Sequence, residues 1–558
     1  MGYIMSTSLL GKLAKPVYII IVIIAIGAIF RLWGLGTAEI FHDEGFYAFR
    51  SIGYIDYLQN ADQTTPMQWF YKGGLPWWTK LSFHDHPPLF FVIQYIFTAI
   101  LGDSLFAVRL PSVIAGLFAI LLLYLITQKV FKNNQWVSLL AAALLAVSHI
   151  HIWISRSSLM ESTLITLILL NIYVFLNFLE DRKKYWWMLG LTFGLAFLTK
   201  YIAAFLIPAY FIFLLIYYRN VFKEKWLYLA LALSLIIFSP ILIYNYNLYK
   251  LVGHFDLQFA YLFQQATPEW RASLGKVIDP FSDIFLNLFS MYSIPFILLS
   301  ILGIFYVACG IRRNSSGNTL FDDTRSGLRL FLLIVFFISL MLVPLGSAFR
   351  FIALYAPFLV IFVVALLVLI KNKQGLLVIS LVVAALIIYE IVFSVYGIFI
   401  TFPDRGIVKL DEYLNEVIGN KASAAIPLTP NPNLNTVITK YSSSLERSTT
   451  SLMIIYDENI SLSPKLWLFA RRLFYHGITT VTATNFKNMI KSKGIDYFKD
   501  YELYFVRATQ YTVLTPTLIS NDASDLENFL SRELNIKPEK IIYGHLNLPM
   551  FKVYRLEL

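Results

Sequence analysis

Apolar runs close to the ~20-residue length that crosses a bilayer recur along roughly the first 400 residues of this chain. A backbone inside hydrocarbon must satisfy its own hydrogen bonds, so such a chain folds there as a bundle of helices. Composition points the same way. Of 558 residues, 58% are hydrophobic and 14% are charged, whereas a soluble domain carries roughly 25% charged residues. A soluble enzyme, a disordered protein and a disulfide-stapled secreted scaffold are excluded. The single cysteine, Cys309, sits in an apolar run and is expected to fill the core. The net charge of +11 is expected to mark cytoplasmic loops, with no nucleic-acid partner.

The runs lie at 16–33, 105–128, 136–154, 157–178, 185–199, 201–218, 226–246, 287–310, 329–348, 351–370 and 375–400. With a cytoplasmic N-terminus, the basic connectors Lys12/Lys15, Lys129/Lys132, Arg182/Lys183/Lys184, Arg219/Lys223/Lys225, Arg312/Arg313/Arg325 and Lys371/Lys373 all fall inside, as the positive-inside rule asks. This holds only if the shorter run Pro88–Gly102 stays on the surface; were it to cross, Arg182–Lys184 would lie outside. Its Pro-Pro start and Gly-Asp end suit a membrane-surface helix. The first run lacks a small-residue cleavage exit before Arg31 and reads as a retained anchor.

The expected fold is therefore an all-α polytopic membrane domain over 1–402, with about eleven transmembrane helices. A first external loop at 34–104 carries membrane-surface helices, and a second external loop spans 247–286. Residues 403–558 drop in hydrophobicity and read as an extracytoplasmic α/β domain. Pro464–Gly477 reads as a helix, and Ser524-x-x-Glu527 reads as a capping box opening another. Ser451–Tyr456, Tyr501–Val506 and Met550–Leu556 read as strands, and Ser442–Ser451 as a polar loop. Asn459-Ile460-Ser461 and Asn314-Ser315-Ser316 match the glycosylation sequon, the second on the cytoplasmic side.

Charges beside a bilayer are costly and mark function unless they merely snorkel at span ends. Here they gather on the expected external face: His42-Asp43-Glu44 with Tyr47, His84-Asp85-His86, Arg109, Arg156 with Glu161, Lys200, His254 with Asp256, and Arg350. Two adjacent carboxylates facing clustered cations suit a reaction on a phosphorylated substrate. One carboxylate serves as general base, and Lys or Arg holds the departing phosphate.

These residues, in this order, resemble the GT-C superfamily of membrane glycosyltransferases. The resemblance is greatest to the dolichyl-phosphate-mannose protein mannosyltransferases of family 39 and their aminoarabinose-transferase relatives. The matching strings are HDEGFYA at 42–48, HPPL at 86–89, RLPS at 109–112, SRSSLMES at 155–162, LTKY at 198–201 and FRFIALYAPF at 349–358. The resemblance covers roughly residues 16–370. It implies an inverting transfer of one sugar from a polyprenyl (dolichyl) monophosphate to an acceptor hydroxyl on a glycan, lipid or protein, at the external face. Mannose is the family default; glucose or an amino-pentose would use the same chemistry. It also implies a cell-membrane protein with its C-terminal domain outside, taking no nucleotide.

By the same resemblance Asp43 is the base, and Glu44 is the second acid of the motif, with a positioning, metal-binding or structural task. Lys200, Arg350, Arg109 and His86 are donor-phosphate candidates. Tyr47, Asp85, Arg156 and Glu161 are further site candidates. Glu161 stands where relatives commonly have Asp, and His86 where the aminoarabinose transferases have Lys. A divalent cation (Mg, Mn or Zn) on Asp85, His86 and His254 is a further implication, without tight ligand spacing to support it. The alternatives are a polytopic transporter or flippase of lipid-linked glycans and an oligosaccharyltransferase. A transporter would place charges at midplane on broken helices in paired repeats. An oligosaccharyltransferase resembles this chain less, because its WWDxG string has no counterpart beyond Trp77-Trp78-Thr79 and Trp186-Trp187-Met188.

Overall fold

The computed structural model describes residues 5–40, 43–58, 63–265, 267, 281–310, 324–346, 348–373, 376–401, 403–423, 429–442 and 448–556. His42, Arg312, Arg313 and the sequon at Asn314 lie outside the described residues, as does part of the 442–451 loop.

The apolar runs read from the sequence are, among the described residues, largely helical, with breaks at 148, 157–160 and 292–293. Among the described residues, five helices are long and apolar enough to cross a membrane by length and composition, or up to seven spans if each sharply bent pair counts as one. Gln135–Val147 and His149–Arg156 bend by 58° at Ser148, and Asp283–Met291 and Ile294–Cys309 by 111°. Pro16–Leu32, Tyr201–Tyr217 and Gly327–Val343 are shorter apolar helices. Leu89–Leu101, the run expected to stay on the surface, has 13 residues. At 1.5 Å per residue that is about 20 Å, short of a ~30 Å hydrocarbon core.

Local chemistry sets several helix starts. Ser104 Oγ accepts from Ala107 N (3.2 Å) ahead of Leu105–Val130, and Asp181 accepts from Lys184 N (3.0 Å) ahead of Arg182–Thr199. Lipid tails give helices no hydrophobic reason to associate, so small residues at the contact matter. Gly190 and Gly194 let Arg182–Thr199 lie on Lys225–Val252. A Cβ on Gly190 would stand 2.4 Å from Ala230 O, and one on Gly194 would stand 2.6 Å from Ile237 Cβ. Cys309 is exposed on Ile294–Gly310 and not in the core, a correction to the sequence reading.

The C-terminal unit is built on a five-stranded sheet. Thr479–Thr482, Leu452–Tyr456 and Glu502–Ala508 run parallel; Pro549–Leu556 pairs antiparallel with the last of these, and Lys540–Tyr543 with Pro549–Leu556. The helix expected at 464–477 runs from Leu462 to His476 through a π turn at Leu466–Ala470 and ends on the left-handed Gly477. The Ser524 capping box does not form. The helix starts earlier, at Asp522, leaving Ser524 Oγ to accept from Arg507 (2.8 Å) while Glu527 pairs with Arg507 and Lys552. Asn459 of the other sequon is buried, donating to Ser520 O and accepting from Ile519 N, so its amide is already engaged.

This unit is seated on the first loop. Gly45 N donates to Ser463 Oγ (2.9 Å), and a Cβ on Gly45 would meet Ser463 O at 2.3 Å, so only glycine fits. Tyr475 Oη donates to Phe49 O (3.0 Å), and Arg471 donates to Asp103 O (2.7 Å). The Glu39 carboxylate accepts from Ile407 N (3.2 Å) and Val408 N (3.3 Å) at the start of Ile407–Ile418.

Candidate active site

A cavity of about 740 Å³ lies between the first loop and the helix ends above the bundle, within the roughly 300–1,000 Å³ of small-molecule sites. Separate segments supply its polar wall, among them Asp43 and Tyr47, Asp85 and His86, Lys200, Gln258, and Arg350. Asp43 precedes Glu44–Gly53 at the cap position but makes no side-chain capping bond. Its carboxylate instead pairs with Arg350, both groups about a quarter to a third exposed. Lys200, at the end of Arg182–Thr199, pairs with the buried Glu161. Lys200 Nζ and the Arg350 guanidinium both lie over the Phe351 ring, 4.9 and 5.1 Å from its centre. Two cations from distant parts of the chain are thereby brought together.

Behind this wall lies a buried network. Arg50 donates to Asp85 (2.8 Å), His86 Nδ1 lies 3.1 Å from the same carboxylate oxygen, and His84 Nδ1 bonds Asp56 (2.7 Å). Burial alone would raise the Asp85 carboxyl, but Arg50, His84 and His86 hold it well below the usual range. Tyr47 Oη bonds His86 Nε2 (3.1 Å). Burial, then the charges of Glu161 and Asp85, push the Tyr47 phenol well above 10, so it stays neutral.

The metal set read from the sequence does not assemble. His254 Nδ1 bonds Phe255 O (2.7 Å) and its ring packs edge-on against Trp69. Among the described residues, the group whose ligand atoms lie within 4.8 Å of one another is Asp56, His84 and Asp85. Arg50 already supplies the positive charge there, bonded to Asp85 and 3.9 Å from Asp56. A divalent ion would have to share that space with a guanidinium, so the donor set fits a metal poorly.

Glu44 and Arg109 do not face the cavity. They form a doubly hydrogen-bonded pair (2.7 and 2.8 Å) with both side chains at most 2% exposed. Arg109 also donates to the carbonyls of Leu35, Ala38 and Glu39, and Glu44 accepts from Ser158 N (2.6 Å). Arg156 similarly gathers the carbonyls of Phe30 and Trp33 at the end of the first helix. These three residues fold the first loop against the bundle. Arg50 and Asp56 were missed in the sequence, where His84 was read only as part of the His84-Asp85-His86 cluster. Positions 43, 47 and 50 fall at i, i+4 and i+7 on one helical face, a signal that could have found Arg50.

Residues 85–244 match the family described as dolichyl-phosphate-mannose-protein mannosyltransferase. Two proteins of Bacillus subtilis, YycA and YkcB, both provisionally named as mannosyltransferases, are 32% and 29% identical over 154 residues. That segment is 27% of this chain and 22% and 21% of theirs, so the chain spans about a fifth of the length of the curated relatives it matches. Among solved structures, ArnT from Cupriavidus metallidurans bound to undecaprenyl phosphate aligns at a TM-score of 0.51 and 14% identity, covering 98% of both chains. The oligosaccharyltransferase AglB of Archaeoglobus fulgidus, in complex with an inhibitory peptide and a dolichol-phosphate, aligns at 0.51 and 14%, covering 89% of this chain and 70% of that one. The same archaeal enzyme in complex with Zn and sulfate aligns equally well over 88% and 68%. At such identity these likenesses establish a shared fold.

Proposed function

We propose, from the premise that this is a GT-C-type membrane protein with a mannosyltransferase-family segment at 85–244, that the chain is an inverting glycosyltransferase. It moves a single sugar from a polyprenyl monophosphate to an acceptor hydroxyl, on the extracytoplasmic side. The observation that carries this reading is the convergence of one partly exposed carboxylate, Asp43, and two cations, Arg350 and Lys200, on a single cavity.

The steps follow from those groups. The donor phosphate enters beside Phe351 and takes the Arg350 guanidinium from Asp43. Charge-assisted bonds from Arg350 and Lys200 then hold its oxygens. Released from its ion pair, the Asp43 carboxylate accepts the acceptor hydroxyl proton. The acceptor oxygen bonds to the anomeric carbon from the face opposite the phosphate, and the carbon–oxygen bond to phosphate breaks. The electron pair of that bond leaves on the phosphate, giving lipid monophosphate, whose charge Arg350 and Lys200 stabilise. Neutral Tyr47, hydrogen-bonded to His86, lines the cavity beside the carboxylate and is not a base. No step requires a metal.

The N-terminus is cytoplasmic, about eleven helices cross, and residues 403–558 form an extracytoplasmic domain seated on the catalytic loop. The test is incubation of the purified protein with a panel of polyprenyl-phosphate sugars, with mass spectrometry of released lipid phosphate. Release from one donor, abolished in Asp43→Asn, is the expected result; release at the wild-type rate by that variant would remove Asp43 from the mechanism.

A further inference from the structure

A second cavity, of about 460 Å³, opens in the C-terminal unit at the carboxyl ends of the parallel strands Leu452–Tyr456 and Thr479–Thr482. Ligands of open parallel sheets bind at that end. One wall is a single stripe of the helix Ala483–Lys493: Asn485, Asn488, Met489 and Ser492, at i, i+3, i+4 and i+7. Buried against protein, such a stripe is normally apolar. Here three of its four members are polar, uncharged and exposed. The facing wall is aromatic, with Tyr57, Tyr456 and Phe474. Thr480 and Thr482 add hydroxyls, and no charged side chain lines the cavity among the described residues.

Amides and hydroxyls each donate and accept, matching a ligand that is itself covered in hydroxyls. Tyr57 is part-exposed, whereas Tyr456, stacked on Phe469, and Phe474 are buried; such aromatic surface suits the apolar C–H side of a pyranose ring. The lack of a cation argues against phosphate, carboxylate or nucleotide ligands, which call for Arg, Lys or a helix N-terminus. The cavity also adjoins the active site. Tyr57 supplies its wall from the first loop, and the Tyr57 carbonyl accepts from Arg50 Nε (3.4 Å), whose guanidinium lines the first cavity.

We propose that this second cavity binds a neutral saccharide unit. On the transferase reading, on which this last step rests, the unit belongs to the acceptor, which is then a glycan anchored by the C-terminal unit while its hydroxyl reaches Asp43.

The test uses the full chain in phospholipid nanodiscs, free of sugar-based detergent. Neutral gluco-, manno- and galacto-oligosaccharides are titrated by ligand-observed saturation-transfer NMR, beside their sulfated counterparts. Saturable binding of a neutral oligosaccharide is expected, weakened by about fivefold or more in Asn488→Ala and Asn485→Ala, about 1 kcal/mol. Both positions are exposed, so the variants fold. No saturable binding by any neutral member, equal binding of the sulfated members, or binding indifferent to the Asn485 and Asn488 variants would each overturn the site. Saccharide binding without release of lipid phosphate from any donor would leave the site standing and remove the transferase reading. Transfer that is indifferent to the Asn variants would leave the transferase reading standing and detach this cavity from the acceptor.

Discussion

Asp43 and Glu44 are neighbours in sequence, and each meets an arginine, yet the two pairs occupy opposite settings. Glu44–Arg109 is sealed: both side chains are at most 2% exposed, and three backbone carbonyls and one backbone amide complete the site. Asp43–Arg350 is open, with 30% and 26% of the side chains exposed on a cavity wall. A sealed pair stripped of one partner leaves an uncompensated charge in low dielectric, at a cost of about 3–5 kcal/mol. An exposed pair is worth about 1 kcal/mol or less, because water screens it. The first is therefore structural, whereas the second can exchange partners when an anion arrives. Closeness in sequence says nothing of this; the helix rotates residue 44 about 100° from residue 43.

The sharpest way to separate the pairs is to neutralise each acid. Asp43→Asn is expected to lower transfer by about 10²–10⁴, the usual worth of a general base, with unchanged thermal stability. Glu44→Gln is expected to lower stability by about 3–5 kcal/mol, seen as lost monodisperse protein on heating, before any question of rate arises. Equal effects of the two variants on rate and on stability would erase the distinction.

Glu39 extends the sealed side, since its carbonyl accepts from Arg109 and its carboxylate receives Ile407 N and Val408 N. Burial, reinforced by Asp404 and opposed by the two amides and Arg109, raises its carboxyl from 4.5 to about 7. The seated form then holds a proton that the unseated form releases between those values. The stabilisation is full below about 4.5 and is lost as pH rises through about 7, on the order of 3 kcal/mol. Limited proteolysis of the C-terminal unit should accelerate across that window, and Glu39→Gln should flatten the profile. A wild-type profile already flat would rule out the latch.

The smallest effects belong to the open side. Arg350→Ala and Lys200→Ala are each expected to raise the KM for the lipid-phosphate donor by roughly tenfold, about 1.4 kcal/mol, with little change for the acceptor. A shift in acceptor KM alone would move these cations away from the phosphate.

Much of the scaffold was readable in the chain. Apolar runs gave the helices, because period and length decide them locally. The strands at 452–456, 502–508 and 549–556 followed from short runs rich in aliphatic and aromatic residues. Thr479–Thr482 and Lys540–Tyr543 did not, being short and polar-edged. The capping box at Ser524 was overruled by tertiary demand, since Arg507 needs that hydroxyl and Glu527. For the site, the membership of Asp43, Tyr47, Asp85, His86, Lys200 and Arg350 in one cavity matches the candidate set, while Arg109, Arg156 and His254 face other partners.

The sequence by itself determined that this chain is a helical membrane protein and that its scarce charges gather in a few strings. That follows from hydrocarbon, which tolerates few charges and dictates helix length. Only the tertiary structure decided which charges are sealed and which remain open to a ligand. Solvent access belongs to a packed surface assembled from distant segments: Arg350 beside Asp43, Ser463 on Gly45, Arg50 between Asp56 and Asp85. No local pattern encodes those meetings, and they separate a buried clamp from a carboxylate left open on a cavity wall one residue away.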